Sequence, residues 1–415
     1  MKRKIMGLLL VCVMIINLSG CKKVYAADLM SGVKANSVSS KAVDETFINS
    51  QMRLALELFK SSAKESENKN VLISPLSIQL ALSMTANGAV GQTKMEMEKL
   101  LGGELSIEEL NQYLYSYVKS LPSEEKSKLE IANSIWWRDT EDILTVEKDF
   151  LQTNADYYGA DAYKAPFDGQ TVKDINDWVK EKTDGMIDSI VDEIDKFTMM
   201  YLINALVFDA EWENVYTKSD IRDGTFSSIS GKKSVVPMMN SEEYKYLDDG
   251  KSVGFIKDYK DGKHSFAALL PNEDIGIYNY IKGQTTEGLL EILNNAKEEL
   301  VKATMPKFSY EYEIGMSGIL KALGIPTAFD ESLADFSKMG KLSSKDDNLY
   351  IGDVLHKTFI SVDELGTKAG AVTSVEVDRM GMAKPNYVKL DRPFVYMIID
   401  NATSLPIFIG AVMDI

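Results

Sequence analysis

Hydrophobic and polar positions along the chain change their spacing from segment to segment, and the spacing predicts both helices and strands. Apolar residues at helical intervals predict an amphipathic helix over residues 46–60. Ser74 followed by Pro75 predicts the start of a second helix, because serine caps helix N-termini and proline fits the first turn. Further helical patterns occupy residues 95–101, ended by Gly102 and Gly103, and residues 172–191, interrupted near Gly185.

Four apolar runs predict buried strands, at residues 129–137, 199–208, 265–270 and 395–399. Helical patterns concentrate in the first half of the chain and strand patterns in the second half. This distribution favours an α+β protein built around a large sheet.

Residues 364–382 carry an alternation with a period of two. One face holds Thr367, Ala369, Ala371, Thr373, Val375 and Val377, and the other holds Lys368, Gly370, Val372, Ser374, Glu376 and Asp378. This pattern is typical of a strand with one buried side, yet small side chains begin that side and an exposed loop is expected to follow. The pattern alone leaves two interpretations open: a moving segment, or an edge strand with a long hairpin turn.

The N-terminus predicts export. Lys2-Arg3-Lys4 precedes an apolar run from Ile5 to Ile16 that is too short for a comfortable membrane span. The tetrapeptide Leu18-Ser19-Gly20-Cys21 matches a bacterial lipobox, whereas Ala26-Ala27 offers an ordinary secretory cleavage site. We expect residues 1–20 to be a signal peptide and Cys21 to carry a lipid that anchors the protein at the cell surface. Secretion into the medium is the alternative.

The cysteine content and the segment after the signal peptide indicate how the mature chain is held together. The other cysteine, Cys12, lies in the signal, so the mature chain forms no disulfide and depends on packing of its 45% hydrophobic residues. Residues 21–44 lack periodicity, which predicts a flexible tether after the lipid anchor.

The net charge of -16 disfavours nucleic acid as a partner. Residues 45–415 are long enough for two or three domains, but no linker divides them.

Several segments resemble motifs of the serpin family of serine protease inhibitors, and they occur in the family's order. They are residues 70–78, 203–212, 305–308, 354–364, 390–396 and 406–410. The resemblance covers roughly residues 46–415. It implies a serpin fold of the α+β class: one large domain with a mostly antiparallel central sheet, surrounding helices and an exposed reactive loop at about residues 364–386.

The resemblance also implies a mechanism. A protease attacks the loop as a substrate and becomes trapped as an acyl-enzyme, while the cleaved loop inserts into the central sheet as a new strand. Hinge residues in this region would be Glu364, Gly366, Thr367, Ala369, Gly370 and Ala371. Small residues suit insertion because a large or charged side chain would be buried without a partner. The resemblance therefore predicts an inhibitor that is not itself an enzyme.

The scissile bond follows from the same resemblance. Counting seventeen residues from Glu364 reaches Met380, so cleavage is expected between Met380 and Gly381. That bond suits a subtilisin-, elastase- or chymotrypsin-like protease with an apolar pocket. Cleavage after Arg379, which would suit a trypsin-like protease, and cleavage at Met382 remain open.

The resemblance also implies two clusters of residues at the central sheet. Ser74, Ser77, Asn204 and His356 match a hydrogen-bonded cluster, the shutter, although His356 read alone could be an isolated core histidine. Trp212, Lys307 and Glu364 match the breach, where the loop enters the sheet. Read alone, Lys307 and Glu364 would be solvated surface charges.

Motifs of other classes are weak. The chain has two histidines and lacks a G-x-S-x-G elbow, and Ser61-x-x-Lys64 and Ser123-x-x-Lys126 lack the partner motifs of penicillin-binding enzymes. No cofactor, and no metal site, is expected. We expect a monomer whose partner is a serine protease. The alternatives are a non-inhibitory binding protein of the same fold, which would be cleaved without trapping, or a lipoprotein adhesin or substrate-binding module.

Overall fold

The computed structural model describes residues 26–121, 127–139, 144–196, 198–343, 348–367 and 384–415. The predicted signal peptide, Cys21, and the loop residues Ala369, Gly370, Ala371, Arg379, Met380, Gly381 and Met382 lie outside these ranges.

The helices are α1 (Glu45–Glu65), α2 (Pro75–Ala86), α3 (Gly91–Leu101), α4 (Ile107–Ser120), α5 (Lys148–Tyr158), α6 (Gly169–Lys182), α7 (Ile277–Gly283), α8 (Thr286–Asn294) and α9 (Ser317–Ala322), with a 3₁₀ turn at Thr327–Phe329. The strands are β1 (Ala27–Asp28), β2 (Val71–Ile73), β3 (Ser127–Arg138), β4 (Leu144–Val146), β5 (Asp161–Ala165), β6 (Met200–Glu211), β7 (Ile221–Ser227), β8 (Lys233–Asp248), β9 (Ser252–Asp258), β10 (His264–Pro271), β11 (Lys297–Pro306), β12 (Phe308–Gly315), β13 (Gly340–Leu342), β14 (Asp353–Val362), β15 (Gly366–Thr367), β16 (Asn386–Lys389), β17 (Phe394–Asp400) and β18 (Pro406–Val412).

Two large sheets organise these strands. The central sheet has the order β1-β5-β3-β6-β15-β14-β12 among the described strands, and only its β3–β5 and β6–β14 pairs are parallel. The second sheet runs β16-β11-β8-β9-β10-β17-β18-β2, with β7 beside β8. The prediction of a mostly antiparallel central sheet with helices around it is confirmed.

The sheets pack around one dominant hydrophobic core, and a smaller core lies between the central sheet and α6. Strand β6 contributes to both: Leu202 and Leu206 face the large core, while Ile203 and Ala205 face the small one. A strand buried on both faces reads as a continuous apolar run, which is why its sequence predicts it well.

Helix α2 begins as its sequence predicts. Ser74 is the N-cap, its hydroxyl accepts a hydrogen bond from the backbone N–H of Ser77, and Pro75 occupies the first turn. Every residue of this helix is buried, so α2 runs through the core and carries Ser74 and Ser77 to the face of the central sheet.

The helix predicted for residues 172–191 is too long. Helix α6 ends at Lys182, because Asp184 and Gly185 adopt left-handed backbone conformations with φ of 49° and 74°. The following residues cross the central sheet, and Met186 and Ile187 lie over the space between β6 and β14.

The flexible tether predicted before residue 45 is wrong for residues 26–44. Strand β1 pairs with β5, placing Ala27 opposite Lys164. The backbone N–H of Asn36 donates to Asp156 (2.7 Å), and the ammonium of Lys41 contacts Glu109 (2.6 Å). Backbone pairing of this kind depends on the exposed edge of β5, and local composition does not reveal it.

Candidate functional site

The central sheet has a gap between β6 and β14. Among the described pairings, these parallel strands meet only where they begin, with Asp353 opposite Tyr201 and Val354 opposite Leu202. Beyond that point, no pairing between residues 203–208 of β6 and residues 355–361 of β14 is present among the described residues. We call this stretch the strand gap; Leu206, Phe208, Phe359 and Ser361 line it.

The far end of the strand gap is occupied by the two residues of β15. Gly366 lies opposite Glu211 and Thr367 opposite Ala210 on β6, while Thr367 also pairs with Val362 on β14. The predicted hinge thus already contributes two residues to the sheet. The sequence-based mechanism placed the insertion of Thr367 after cleavage, so the structure differs at this residue.

Gly366 is required here by close packing. A Cβ atom at this position would lie 2.0 Å from the carbonyl oxygen of Ala210, well inside any tolerable contact. The sequence singled out Gly366 because glycine bends cheaply. The structure adds a second reason, since only glycine lets the hinge backbone approach β6 this closely.

Thr367 is anchored by its side chain. It is 3% exposed, and its hydroxyl lies 2.5 Å from that of Tyr259, within hydrogen-bond distance. Tyr259 in turn stacks on Trp212, with ring centres 4.5 Å apart and an interplanar angle of 11°. Burial raises the pKa of Tyr259 far above its usual value, so its hydroxyl stays protonated. Sequence reasoning missed Tyr259 because an isolated tyrosine carries no signal of such a contact.

The predicted breach residues come together beside β15. The ammonium of Lys307 contacts the carboxylate of Glu364, and the hydrogen bond to this lysine lowers the pKa of Glu364. The indole N–H of Trp212 donates to the carbonyl of Asp363 (2.9 Å). Lys307 and Glu364 are therefore an ion pair at the entrance to the strand gap, not separate solvated charges.

The predicted shutter residues also come together, at the point where β6 and β14 part. The backbone N–H of Ser74 donates to Nε2 of His356 (3.1 Å), and the hydroxyl of Ser77 donates to the amide oxygen of Asn204. Asn204 donates onward to Asn133 on β3, a member that sequence reasoning missed. Asn133 lies directly opposite Asn204 in the register of β3 and β6, a pairing visible only once the strands are aligned.

His356 is neutral in this cluster. It is 3% exposed, and burial lowers its pKa to about 4. A neutral imidazole can accept the Ser74 hydrogen bond through Nε2, whereas an imidazolium cannot. The shutter therefore joins α2 to β14 through one hydrogen bond and to β6 through another.

The second histidine, His264, lies near the breach. Its Nδ1 is 2.7 Å from a carboxylate oxygen of Asp261, which also accepts a hydrogen bond from the hydroxyl of Ser127. The carboxylate lies between serine and imidazole, so the histidine does not bond to the serine as a general base would. All three side chains are buried.

Two features are absent from the described ranges. These ranges contain no cluster of three or more His, Cys, Asp or Glu side chains suited to a metal ion. No helix within them is both long and apolar enough to cross a bilayer.

Comparisons with known proteins agree with this geometry. A sequence model of the family described as Serpin (serine protease inhibitor) matches residues 49–415. The chain belongs to the serpin family. Members of this family are generally inhibitors of serine proteases and not catalysts.

Individual serpins align over nearly their whole length. An uncharacterized serpin-like protein of Thermococcus kodakarensis is 31% identical, over 91% of this chain and 88% of the relative. Leukocyte elastase inhibitor A of Mus musculus is 30% identical, over 86% of this chain and 96% of its own.

Among solved structures, the thermophilic serpin tengpin in its native state is 53% identical and has a TM-score of 0.90, with 94% of this chain and 100% of tengpin covered. Tengpin in its latent state, at the same identity, has a TM-score of 0.80 and covers 91% of this chain. The described fold is thus more similar to the native form than to the latent form.

Proposed function

We propose that this serpin inhibits serine proteases as a suicide substrate. The observation that carries the proposal is the docked hinge: Gly366 and Thr367 lie between β6 and β14, at the far end of the strand gap. Insertion of residues after Thr367 would continue the pairing that these two residues begin.

The chemistry belongs to the protease. Its serine attacks the carbonyl carbon of Met380, an ester forms to that carbonyl, and the Met380–Gly381 peptide bond breaks, releasing the amine of Gly381. The new chain end is then free to follow Thr367 into the strand gap. Insertion carries the tethered protease away before water hydrolyses the ester.

The preferred targets are subtilisin-, elastase- or chymotrypsin-like proteases, because the side chain of methionine fits an apolar specificity pocket. Cleavage after Arg379 by a trypsin-like protease is an alternative, and cleavage at Met382 is another. These residues lie outside the described ranges, so the proposal of the scissile bond rests on the sequence.

The test mixes the mature protein with subtilisin, elastase, chymotrypsin and trypsin separately, followed by denaturing gels and intact mass. Inhibition predicts a detergent-resistant complex and a released C-terminal fragment that begins at Gly381. Clean cleavage with full protease activity would show the alternative, a non-inhibitory binding protein of the serpin fold. A fragment beginning at Met380 or at Ala383 would move the scissile bond instead.

We also propose that the protein is exported and anchored by a lipid on Cys21, on the sequence of its lipobox. In the producing cell, radiolabelled palmitate should enter the protein and a Cys21→Ala variant should lose the label. Labelling of both would contradict the anchor site. A mature N-terminus near Ala27 would show ordinary secretion.

A further inference from the structure

A buried ion pair lies beneath the breach, where the sequence shows only two charges among many. The ammonium of Lys257 on β9 is 2.9 Å from a carboxylate oxygen of Glu243 on β8, and the two residues are 2% and 9% exposed. Ser241 donates a second hydrogen bond to the same oxygen (2.6 Å). Burial by itself lowers the pKa of Lys257, but the attraction and hydrogen bond of Glu243, together with the effects of Tyr216 and Asp258, hold this pKa above its usual value.

A buried ion pair is a poor way to stabilise a fold. Desolvation of two charges offsets most of their attraction, and well-packed apolar residues of similar size usually do as well. The position of this pair therefore matters more than its contribution to stability.

The pair lies under one short turn. The ammonium of Lys257 is 4.6 Å from the ring centre of Tyr216 and 5.5 Å from that of Trp212. A desolvated cation over two aromatic rings attracts both. The hydroxyl of Tyr216 is also within hydrogen-bond distance of the hydroxyl of Ser241 (3.2 Å). The cluster of Lys257, Glu243 and Ser241 therefore contacts both ends of the turn that runs from residue 212 to residue 216.

This turn receives the hinge. The backbone N–H of Trp212 donates to the carbonyl of Leu365, and that of Tyr216 donates to the carbonyl of Glu364, both at 2.9 Å. Together with the indole bond to Asp363, three donors of the turn hold the three residues that precede Gly366. We call residues 212–216 the receiving turn.

We propose that Lys257 and Glu243 are positioning residues that hold the receiving turn in place, keep Gly366 and Thr367 docked in the central sheet, and so raise the fraction of protease encounters that end in trapping. The second half of this proposal rests on the proposed function. During trapping, strand insertion competes with hydrolysis of the acyl-enzyme. A hinge that is already docked in the sheet leaves fewer residues to be ordered, which favours insertion over hydrolysis.

The first experiment needs no protease. Amide hydrogen exchange is compared between the wild type and a double variant, Lys257→Met with Glu243→Leu, which removes both charges and leaves no buried charge unpaired. We expect exchange about tenfold faster in peptides covering residues 212–216 and 363–367, which corresponds to a loss of about 1.4 kcal/mol of local stability. Peptides from β17 and β18 should be unchanged.

The matched control is an exposed pair on the same sheet. The ammonium of Lys302 on β11 is 3.7 Å from a carboxylate oxygen of Glu242 on β8, and both side chains are about half exposed. Lys302→Met with Glu242→Leu should leave all these peptides unchanged. The single variant Lys257→Arg, which keeps the charge, should retain most of the wild-type protection from amide exchange in the peptides covering residues 212–216 and 363–367. Unchanged exchange in the folded Lys257→Met/Glu243→Leu variant would overturn the positioning role.

The second experiment uses a protease that forms a detergent-resistant complex with the wild type. It measures the ratio of cleaved inhibitor to covalent complex. The double variant should raise this ratio at least about threefold while the association rate stays within about twofold, because the loop residues that meet the protease are untouched. An unchanged ratio would overturn the effect on trapping. If the wild type forms no complex, the proposed function fails, and the exchange experiment still decides the positioning role by itself.

Discussion

At the residue scale, Gly366 shows how one position can be selected for two reasons. Its sequence context indicates a hinge, since glycine bends at low cost. Its place in β15 shows a packing requirement, because the backbone of Ala210 occupies the space that a side chain would need. A chain that uses glycine only for flexibility would tolerate alanine, whereas this close approach leaves no room for a Cβ atom.

We therefore predict that Gly366→Ala expels the hinge from the sheet. Overlap with the Ala210 carbonyl costs roughly 1–3 kcal/mol, more than two docked residues can offset. The exposed hinge should show faster amide exchange at residues 363–367, and the ratio of cleaved inhibitor to complex should rise.

The control is Gly318→Ala in α9, where an added Cβ meets nothing within 4 Å. This variant should retain the wild-type exchange and ratio. If the two variants behave alike, the close approach of the hinge to β6 is wrong.

At the element scale, the shutter couples α2 to the strands on either side of the gap. Ser74 and Ser77 both come from the first turn of α2, where Pro75 fixes the backbone, so one helix start serves both β14 and β6. The family resemblance named four of these residues, and hydrogen bonds join them in the structure. Asn133 could not be found in the same way, because its partner is set by strand register and not by local sequence.

The shutter predicts a loss of stability in acid. The pKa of His356 is about 4 in the folded state and near 6.5 when unfolded, so the unfolded chain binds more protons between these values. The contribution is complete above about pH 6.5 and is lost as pH falls towards 4. At pH 5 the loss is about 2 kcal/mol relative to pH 7.

Denaturant unfolding at pH 7 and pH 5 measures this loss. In His356→Gln the difference between the two pH values should shrink by about the same amount, since the titrating imidazole is gone. A difference equal to that of the wild type would assign the acid sensitivity to other groups.

At the scale of the whole molecule, the described strands of the central sheet leave a gap between β6 and β14. Among the described residues, no pairing joins residues 203–208 of β6 to residues 355–361 of β14, although both strands belong to the same sheet. The described fold is also more similar to native than to latent tengpin. A strand placed in the gap would bury apolar surface and pair these backbone groups.

Cleavage of the loop should therefore stabilise the molecule. A protein cut at the loop by a protease that it does not trap should unfold at a temperature about 10 °C or more above that of the intact protein, because insertion adds several kcal/mol of pairing and burial. Differential scanning calorimetry of intact and cleaved protein tests this. A cleaved form that melts at or below the intact one would mean that the loop does not insert.

The sequence by itself determined the elements whose signals are local: the capped start of α2 and the doubly buried β6. It also carried enough ordered motifs to imply the family, and with it the contacts of the shutter and the breach. Only the tertiary structure decided the pairing of residues 26–44 with the body, the docking of Gly366 and Thr367, and the place of Lys257 under the receiving turn. These features join segments far apart in the chain, and a distant partner leaves no periodicity or cap in the local sequence.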